Sequence, residues 1–363
     1  MGNNSLGNIL KVTSFGESHG AAVGCIIEGM PAGLTINIAA MQEAVNLRKT
    51  NQSAFASARN EEDTIEIISG VFENKTLGTP ICILIKNTDA KSADYTNIAT
   101  TYRPNHADYT THAKYGIRDY RGGGRSSIRI TAPLVAAGAL ALQLIEHIYA
   151  DVNIQSYVYQ IGNASMSEEE KASYFTDTQI FGSEVRCPSA KTTENILTEI
   201  ATVKNNGDTL GGCIQTTITN LPVGIGEPIF AKLQSALGAA MLSINTVKGF
   251  EYGEGFTAST KNGSQHNDEF AISNNTIHTK TNNSGGIQGG ISNGMPIIFR
   301  TAFKPISSIT KAQQTINENG DNIAIEIKGR HDVCAVPRAI PIVNAYTAIV
   351  LADLILQNKL SKI

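Results

Sequence analysis

Three histidines stand where side chains can do acid–base chemistry. His19 lies in Gly-Glu-Ser-His-Gly, His106 in Arg-Pro-Asn-His-Ala-Asp and His331 in Gly-Arg-His-Asp. Each segment has the glycine, proline or charge of a loop, and loops on a rigid scaffold carry much of catalysis. Imidazole gains and loses protons near neutral pH, so these residues suit proton transfer. His147 sits in an apolar run and reads as structural, while His112, His266 and His278 lie in polar surroundings with no partner signal.

A second segment, residues 121–131, reads Arg-Gly-Gly-Gly-Arg-Ser-Ser-Ile-Arg-Ile-Thr. Its glycines let backbone approach a ligand closely. Arg121, Arg125 and Arg129 add forked cationic donors, and Ser126 and Ser127 add hydroxyls. The apolar run that follows predicts a helix over 134–148, with Thr131 as N-cap and Pro133 in its first turn. A loop of this kind feeding a helix N-terminus suits an anion; the plainer reading is a surface turn with solvated arginines. The glycine spacing fits neither a Walker loop nor a dinucleotide fingerprint.

Other chemistries fit less well. Ser18 and Ser126 lie outside the G-x-S-x-G nucleophile pattern. His331-Asp332 and His106 with Asp108 are too sparse for a metal site, and none is expected. A phosphate or phosphorylated cofactor fits better, with three anchors: the 121–129 loop, the run Lys304, Pro305, Ile306, Ser307, Ser308, and the Arg330 loop.

The elements that carry these residues follow from patterning. Strands are expected over 9–13, 23–28, 64–69, 79–85, 154–161, 211–219, 296–302 and 322–328. Helices are expected over 37–49 behind an Asn37 cap, 193–204, 228–243 with Pro228 in the first turn, and 337–356, and a solvated acidic helical edge over 165–171. Residues 87–105, 281–294 and 329–336 read as long loops. The halves echo each other, since each runs from an arginine loop through a proline into a long apolar helix. Two such helices would form a central layer covered by sheets.

The 363 residues allow one large domain or two ordinary ones, and 41% hydrophobic content supports a sizeable core. A net charge of −3 argues against a nucleic-acid surface, so arginines crowded between Arg103 and Arg129 point to a local anionic ligand. Five scattered cysteines without C-x-x-C pairing argue against disulfides or zinc and for a reducing compartment. The N-terminal residues show no signal core, and no run is apolar enough to span a membrane without prolines or charges; cytoplasm is the expectation, with no membrane partner.

Taken together, the motifs resemble the chorismate synthase family. The segments that carry the resemblance begin at Phe15-Gly-Glu-Ser-His-Gly20, Tyr102-Arg-Pro-Asn-His-Ala-Asp108 and Arg121-Gly-Gly-Gly-Arg-Ser-Ser127. Gly207-Asp-Thr-Leu-Gly-Gly212, Ser243-Ile-Asn-Thr-Val-Lys-Gly249 and residues 282–290 follow, then Gly329-Arg-His-Asp332 and Val336-Pro-Arg-Ala-Ile-Pro-Ile-Val343. They occur in the family's order and spacing from about residue 7 to 352.

The resemblance implies a single α+β domain over 1–363, a β-α-β sandwich with central apolar helices, assembled as a homotetramer. It implies a carbon–oxygen lyase that removes phosphate from 5-enolpyruvylshikimate 3-phosphate by 1,4-anti elimination, giving chorismate, the last common step of the shikimate pathway toward aromatic amino acids. Reduced FMN is the implied cofactor, although no net redox occurs. By resemblance His106 protonates the leaving phosphate, His19 serves protonation of the reduced flavin, and Asp332 sits near flavin N5. FMN contacts carry over to Arg125, Ser126, Ser127, Asn245, Thr246, Gly289, Lys304, Pro305, Ile306, Ser307, Ser308 and Arg330. Arg48 matches a rim position that the family gives to NADP and could equally hold substrate, with Lys49 and Arg129 beside it. No dinucleotide fingerprint or reductase domain is visible, so an external flavin reductant is expected.

Several positions depart from the family pattern: Lys49 and Ala54 replace arginines, Ile130 a glutamate, Thr246 an alanine and Val333 a proline. These changes bear on substrate affinity more than on chemistry. Two other readings stand beside the synthase: a flavin- or phosphate-binding relative without catalysis, and a phosphohydrolase using His106. The first would show no turnover with reduced FMN, and the second would release phosphate without flavin.

Overall fold

The computed structural model describes residues 3–49, 62–88, 99–273, 275–327 and 332–361. Strands Ser5–Leu6 (β1), Lys11–Gly16 (β2), Ala22–Glu28 (β3), Glu66–Ser69 (β4) and Ile81–Lys86 (β5) form one sheet in the order β1-β2-β3-β5-β4. Strands Asn153–Ile161 (β6), Ala164–Ser165 (β7), Gly212–Thr219 (β8), Val247–Tyr252 (β9) and Ile297–Phe303 (β10) form a second, in the order β9-β10-β8-β6-β7. Neighbours in both sheets are antiparallel. Burial alternates residue by residue along β5 and β10, so each sheet turns one apolar face inward.

The chain also forms helices. Ile38–Leu47 (α1) precedes β4, and Asp108–Tyr115 (α2) carries the end of the His106 loop. Thr131–Ile148 (α3), Ala190–Asn205 (α4), Leu233–Ser243 (α5) and Val336–Asn358 (α6) follow. α3 packs on β3 and β5 of the first sheet, α6 on β6 and β8 of the second, and the two helices pack on each other. A Cβ on Gly138 would fall 2.3 Å from Ala345 Cα, so glycine is what lets these helices close in. This is the expected central layer of apolar helices, and the α+β reading holds. Segments 128–148 and 336–358 are long and apolar enough to cross a membrane, but 72% and 89% of their most apolar stretches are buried inside the protein.

Two helix starts differ from expectation. Thr131 does not cap α3; it is the first helical residue, and its hydroxyl donates to the Ile128 carbonyl at 2.6 Å. A 3₁₀ turn, Ile128–Ile130, precedes it, and the capping oxygen belongs to Ser127, which accepts from Arg129 N at 3.2 Å. Pro228 lies outside α5, which begins at Leu233. Ala231 has φ of 58°, a left-handed conformation that no continuous helix can hold. The expected Asn37 cap is present, accepting from Ala40 N at 3.0 Å.

All five cysteines are free thiols. Burial pushes the Cys25 thiol far up, so it stays protonated and donates to the Pro133 carbonyl, tying β3 to the start of α3. Burial likewise pushes Cys334 up to about 12.

Candidate active site

Asp108 organises the His106 loop. The carboxylate accepts from Arg103 Nε at 2.7 Å, Arg103 Nη2 at 2.8 Å and Arg103 N at 3.1 Å, and Arg118 Nη1 lies 3.3 Å from it. His106 Nδ1 lies 3.0 Å from Asp108 Oδ1. Burial alone would raise this carboxyl, but the Arg103 hydrogen bonds and the His106 contact hold it well below the usual carboxylate range. It is therefore a fixed negative charge against one imidazole nitrogen. It fixes the Nδ1 side of the ring and leaves Nε2 as the other nitrogen able to reach a ligand.

Arg103 also reaches the glycine loop, donating from Nη2 to the Gly122 carbonyl at 3.1 Å. Gly122 has φ of 99°, and a Cβ there would stand 2.8 Å from His19 Nε2. Only glycine admits the His19 ring at this point, and the ring is 9% exposed. The two histidine loops are thus joined through Gly122.

Arg125 lies beside β2. Nη1 donates to the Gly16 carbonyl at 2.8 Å, and Nη2 to the Ser14 carbonyl and hydroxyl, each at 3.1 Å. Much of its hydrogen bonding goes to β2, so its part here includes fixing the loop. Ser126 is tied to the second half of the chain, since its carbonyl accepts from Asn245 Nδ2 at 2.8 Å. Thr246, at φ of 70°, offers its carbonyl to Lys304 N at 2.9 Å, and Lys304 Nζ donates to the Asn105 carbonyl at 2.9 Å, next to His106. The Ile306 carbonyl accepts from Thr209 at 2.7 Å, and Ser308 is buried. Thr246 and Lys304 border a pocket walled by Ile128, Phe303, Ile306 and Val336.

A third group gathers around Asp63. Asp63 Oδ2 lies 3.0 Å from Arg48 Nη2, and Oδ1 pairs with Arg129 Nη1. Arg129 also donates from Nε to Asn87 Oδ1 at 2.9 Å and from Nη2 to the Lys86 carbonyl at 3.1 Å. Arg338 Nε donates to the Arg48 carbonyl at 3.2 Å, and Arg338 pairs with Asp332. Burial lowers the Arg48 guanidinium to about 10, against the pull of Asp63, which leaves it charged at neutral pH. For Asp63, burial pushes upward, but Arg48 and Arg129 hold the carboxyl below its ordinary value.

The structure therefore joins most of the expected residues. His19, His106, Arg125, Ser126, Asn245, Thr246 and Lys304 are linked by the contacts above, and Pro305, Ile306, Ser307 and Ser308 continue the Lys304 strand end. Ser127 caps the turn that leads to Arg129. Gly289 is exposed in a turn at φ of 63°, with open space where a Cβ would stand. Asp332 is buried and paired with Arg338 rather than exposed to solvent. Arg48 is not on a rim: it is 3% exposed, because Asp63 draws it inward. Lys49 beside it is half-buried. Arg330, His331 and Ala54 lie outside the described residues.

Sequence reasoning left Asp63, Arg118 and Arg338 without a role. Arg338 sits in the quoted 336–343 segment, and Arg118 lies within the arginine-dense stretch, so both carried some signal. Asp63 carried none, since its partners are 15 and 66 residues away.

Comparisons with known proteins bear on the family. The family model described as chorismate synthase matches residues 10–356. A chorismate synthase from Christiangramia forsetii is 50% identical over 363 residues, covering 100% of both chains. One from Cytophaga hutchinsonii is 49% identical over 357 residues, covering 98% of each. A crystal structure of a chorismate synthase superposes with a TM-score of 0.76 at 32% identity, over 97% of this chain and 92% of that one. The fold, the linked histidine and arginine loops and these matches together place the chain in the chorismate synthase family.

Proposed function

We propose that the chain converts 5-enolpyruvylshikimate 3-phosphate to chorismate and phosphate, with reduced FMN bound. One C–O bond to phosphate and one ring C–H bond break, and the electron pairs redistribute into the second ring double bond. The observation that carries the residue-level reading is the buried Asp108 carboxylate against His106 Nδ1. The carboxylate holds the ring from its Nδ1 side, and His106 Nε2 gives a proton to the departing phosphate oxygen.

The substrate's phosphate and two carboxylates call for cations. Arg48 and Arg129, with Lys49, supply them at one side; Arg48 Nε is a buried donor with no hydrogen-bond partner among the described residues. Arg125, Ser126, Ser127, Asn245, Thr246, Gly289 and residues 304–308 would hold FMN, with Arg330 completing the set. When bound, reduced FMN supplies transient electron density for the elimination without net redox change. His19, packed on Gly122, holds a proton near that group. Asp332, oriented by Arg338, faces the same task at the ring hydrogen.

The enzyme reads as a cytoplasmic homotetramer that relies on an external reductant, with the NADP assignment at Arg48 giving way to substrate because Arg48 is buried beside Asp63. Anaerobic incubation of substrate with reduced FMN, following chorismate, tests the reading. Chorismate with reduced FMN alone supports it. Phosphate released without flavin indicates a hydrolase, and no turnover indicates a binding protein.

A further inference from the structure

We propose that Asp63 is a positioning residue for substrate binding: its one buried carboxylate sets the two guanidiniums of Arg48 and Arg129 side by side at the anion site. The inference rests on the reading that these arginines receive the substrate's negative charge.

Three observations carry it. First, the carboxylate divides its oxygens, Oδ2 to Arg48 Nη2 at 3.0 Å and Oδ1 to Arg129 Nη1. Two like charges brought together in a buried setting repel, and a carboxylate between them is what allows both to stay charged and close. Second, the residue is itself held. Asp63 has φ of 49°, which a non-glycine residue rarely adopts. Its carbonyl accepts from Gln42 Nε2 at 3.1 Å, and Gln42 Oε1 accepts from Ile65 N at 2.9 Å. The side chain is thus aimed from α1 on one side and the approach to β4 on the other. Third, the clamp leaves one donor over. Arg48 uses Nη2 on Asp63 and Nη1 on the Ile128 carbonyl at 3.4 Å, while Nε is buried and has no hydrogen-bond partner among the described residues. A buried, charged donor without an acceptor is a place for an anionic oxygen. Its direction is set by the plane of the guanidinium, which Asp63 fixes.

A purely structural ion pair would also be buried, so the test separates binding from folding. Substrate is titrated calorimetrically into protein loaded with oxidised FMN, which does not turn over, and kcat and KM are measured with reduced FMN. Asp63→Asn keeps the shape but removes the charge. It should weaken substrate affinity and raise KM roughly 10- to 100-fold, the scale of a misplaced binding group, with kcat changing far less. Asp63→Glu keeps the charge and displaces it by one methylene. Asn tolerates a φ of 49° as Asp does, so Asp63→Asn is the variant expected to fold, while the folded fraction of the more strained Asp63→Glu should show a smaller loss of affinity. Affinity unchanged in the folded Asp63 variants, or a loss confined to kcat and Tm, overturns the inference. Arg48→Ala and Arg129→Ala test the underlying reading separately. If neither weakens substrate binding, the arginines do not hold substrate, whatever Asp63 does.

Discussion

Asp108 and Asp63 are both buried carboxylates contacted by two arginines, yet among the described residues only Asp108 also carries a histidine. Around Asp108, two arginines and one imidazole share the carboxylate. Around Asp63, the contacts among the described residues come from arginines. In the function proposed above, the same device serves two ends: proton delivery in one place and anion holding in the other. What decides between them is a single neighbour two residues from Asp108, in Asn-His-Ala-Asp.

Removing the neighbour should break the comparison most severely. His106→Ala should lower kcat by roughly 10²–10⁴, the range for losing a general acid, while FMN still binds. A near-normal rate in steady-state assays would take His106 out of the mechanism and leave Asp108 a structural twin of Asp63.

Changing Asp108 sharpens the contrast through pH. Asp108→Asn leaves Arg103 and Arg118 buried without their counter-charge and should cost about 3 kcal/mol near neutrality. The folded carboxyl lies below its unfolded value, so its contribution is complete above the unfolded pKa, about 3.9, and fades as pH falls through the folded pKa. The stability gap between wild type and variant, measured by denaturant unfolding, should therefore shrink as the pH falls below about 4. A gap that grows toward low pH would reverse the assignment.

Arg125 tests a third arrangement, a cation clamped by carbonyls instead of a carboxylate. Arg125→Ala should weaken FMN binding by about 1.5–3 kcal/mol, the scale of hydrogen bonds to a charged group. Fluorescence titration reads this directly, and unchanged affinity would remove Arg125 from the cofactor site. The smallest effect is expected at Ala54→Arg. An added charge should lower KM by at most about 1 kcal/mol, the scale of a solvent-screened charge pair, less at high salt, with kcat little changed. A KM that does not move at low ionic strength would separate residue 54 from the substrate path.

The sandwich was legible because its two long apolar helices and alternating strands leave few ways to bury their faces. Val247–Tyr252 was not read as a strand, since Gly249 and a bulge beside it interrupt the alternation. Asp108–Tyr115 was not read as a helix, because its sequence is polar and its stop, Gly116 at φ of 73°, follows no apolar periodicity. The start of α3 was misplaced because a hydroxyl before an apolar run resembles a cap, whereas here Ser127 caps a 3₁₀ turn that runs into the helix. In the site, the motif loops were legible residue by residue. The burial of Arg48 was not, because it depends on Asp63, which local patterning does not connect to it.

The most direct test of the account is a stoichiometric one. Substrate is mixed anaerobically with enzyme and FMN, reduced or oxidised, and chorismate and phosphate are measured together. The account expects one chorismate for each phosphate with reduced FMN and neither product with oxidised FMN. Equal rates with the two flavin states, or phosphate without chorismate, would contradict it.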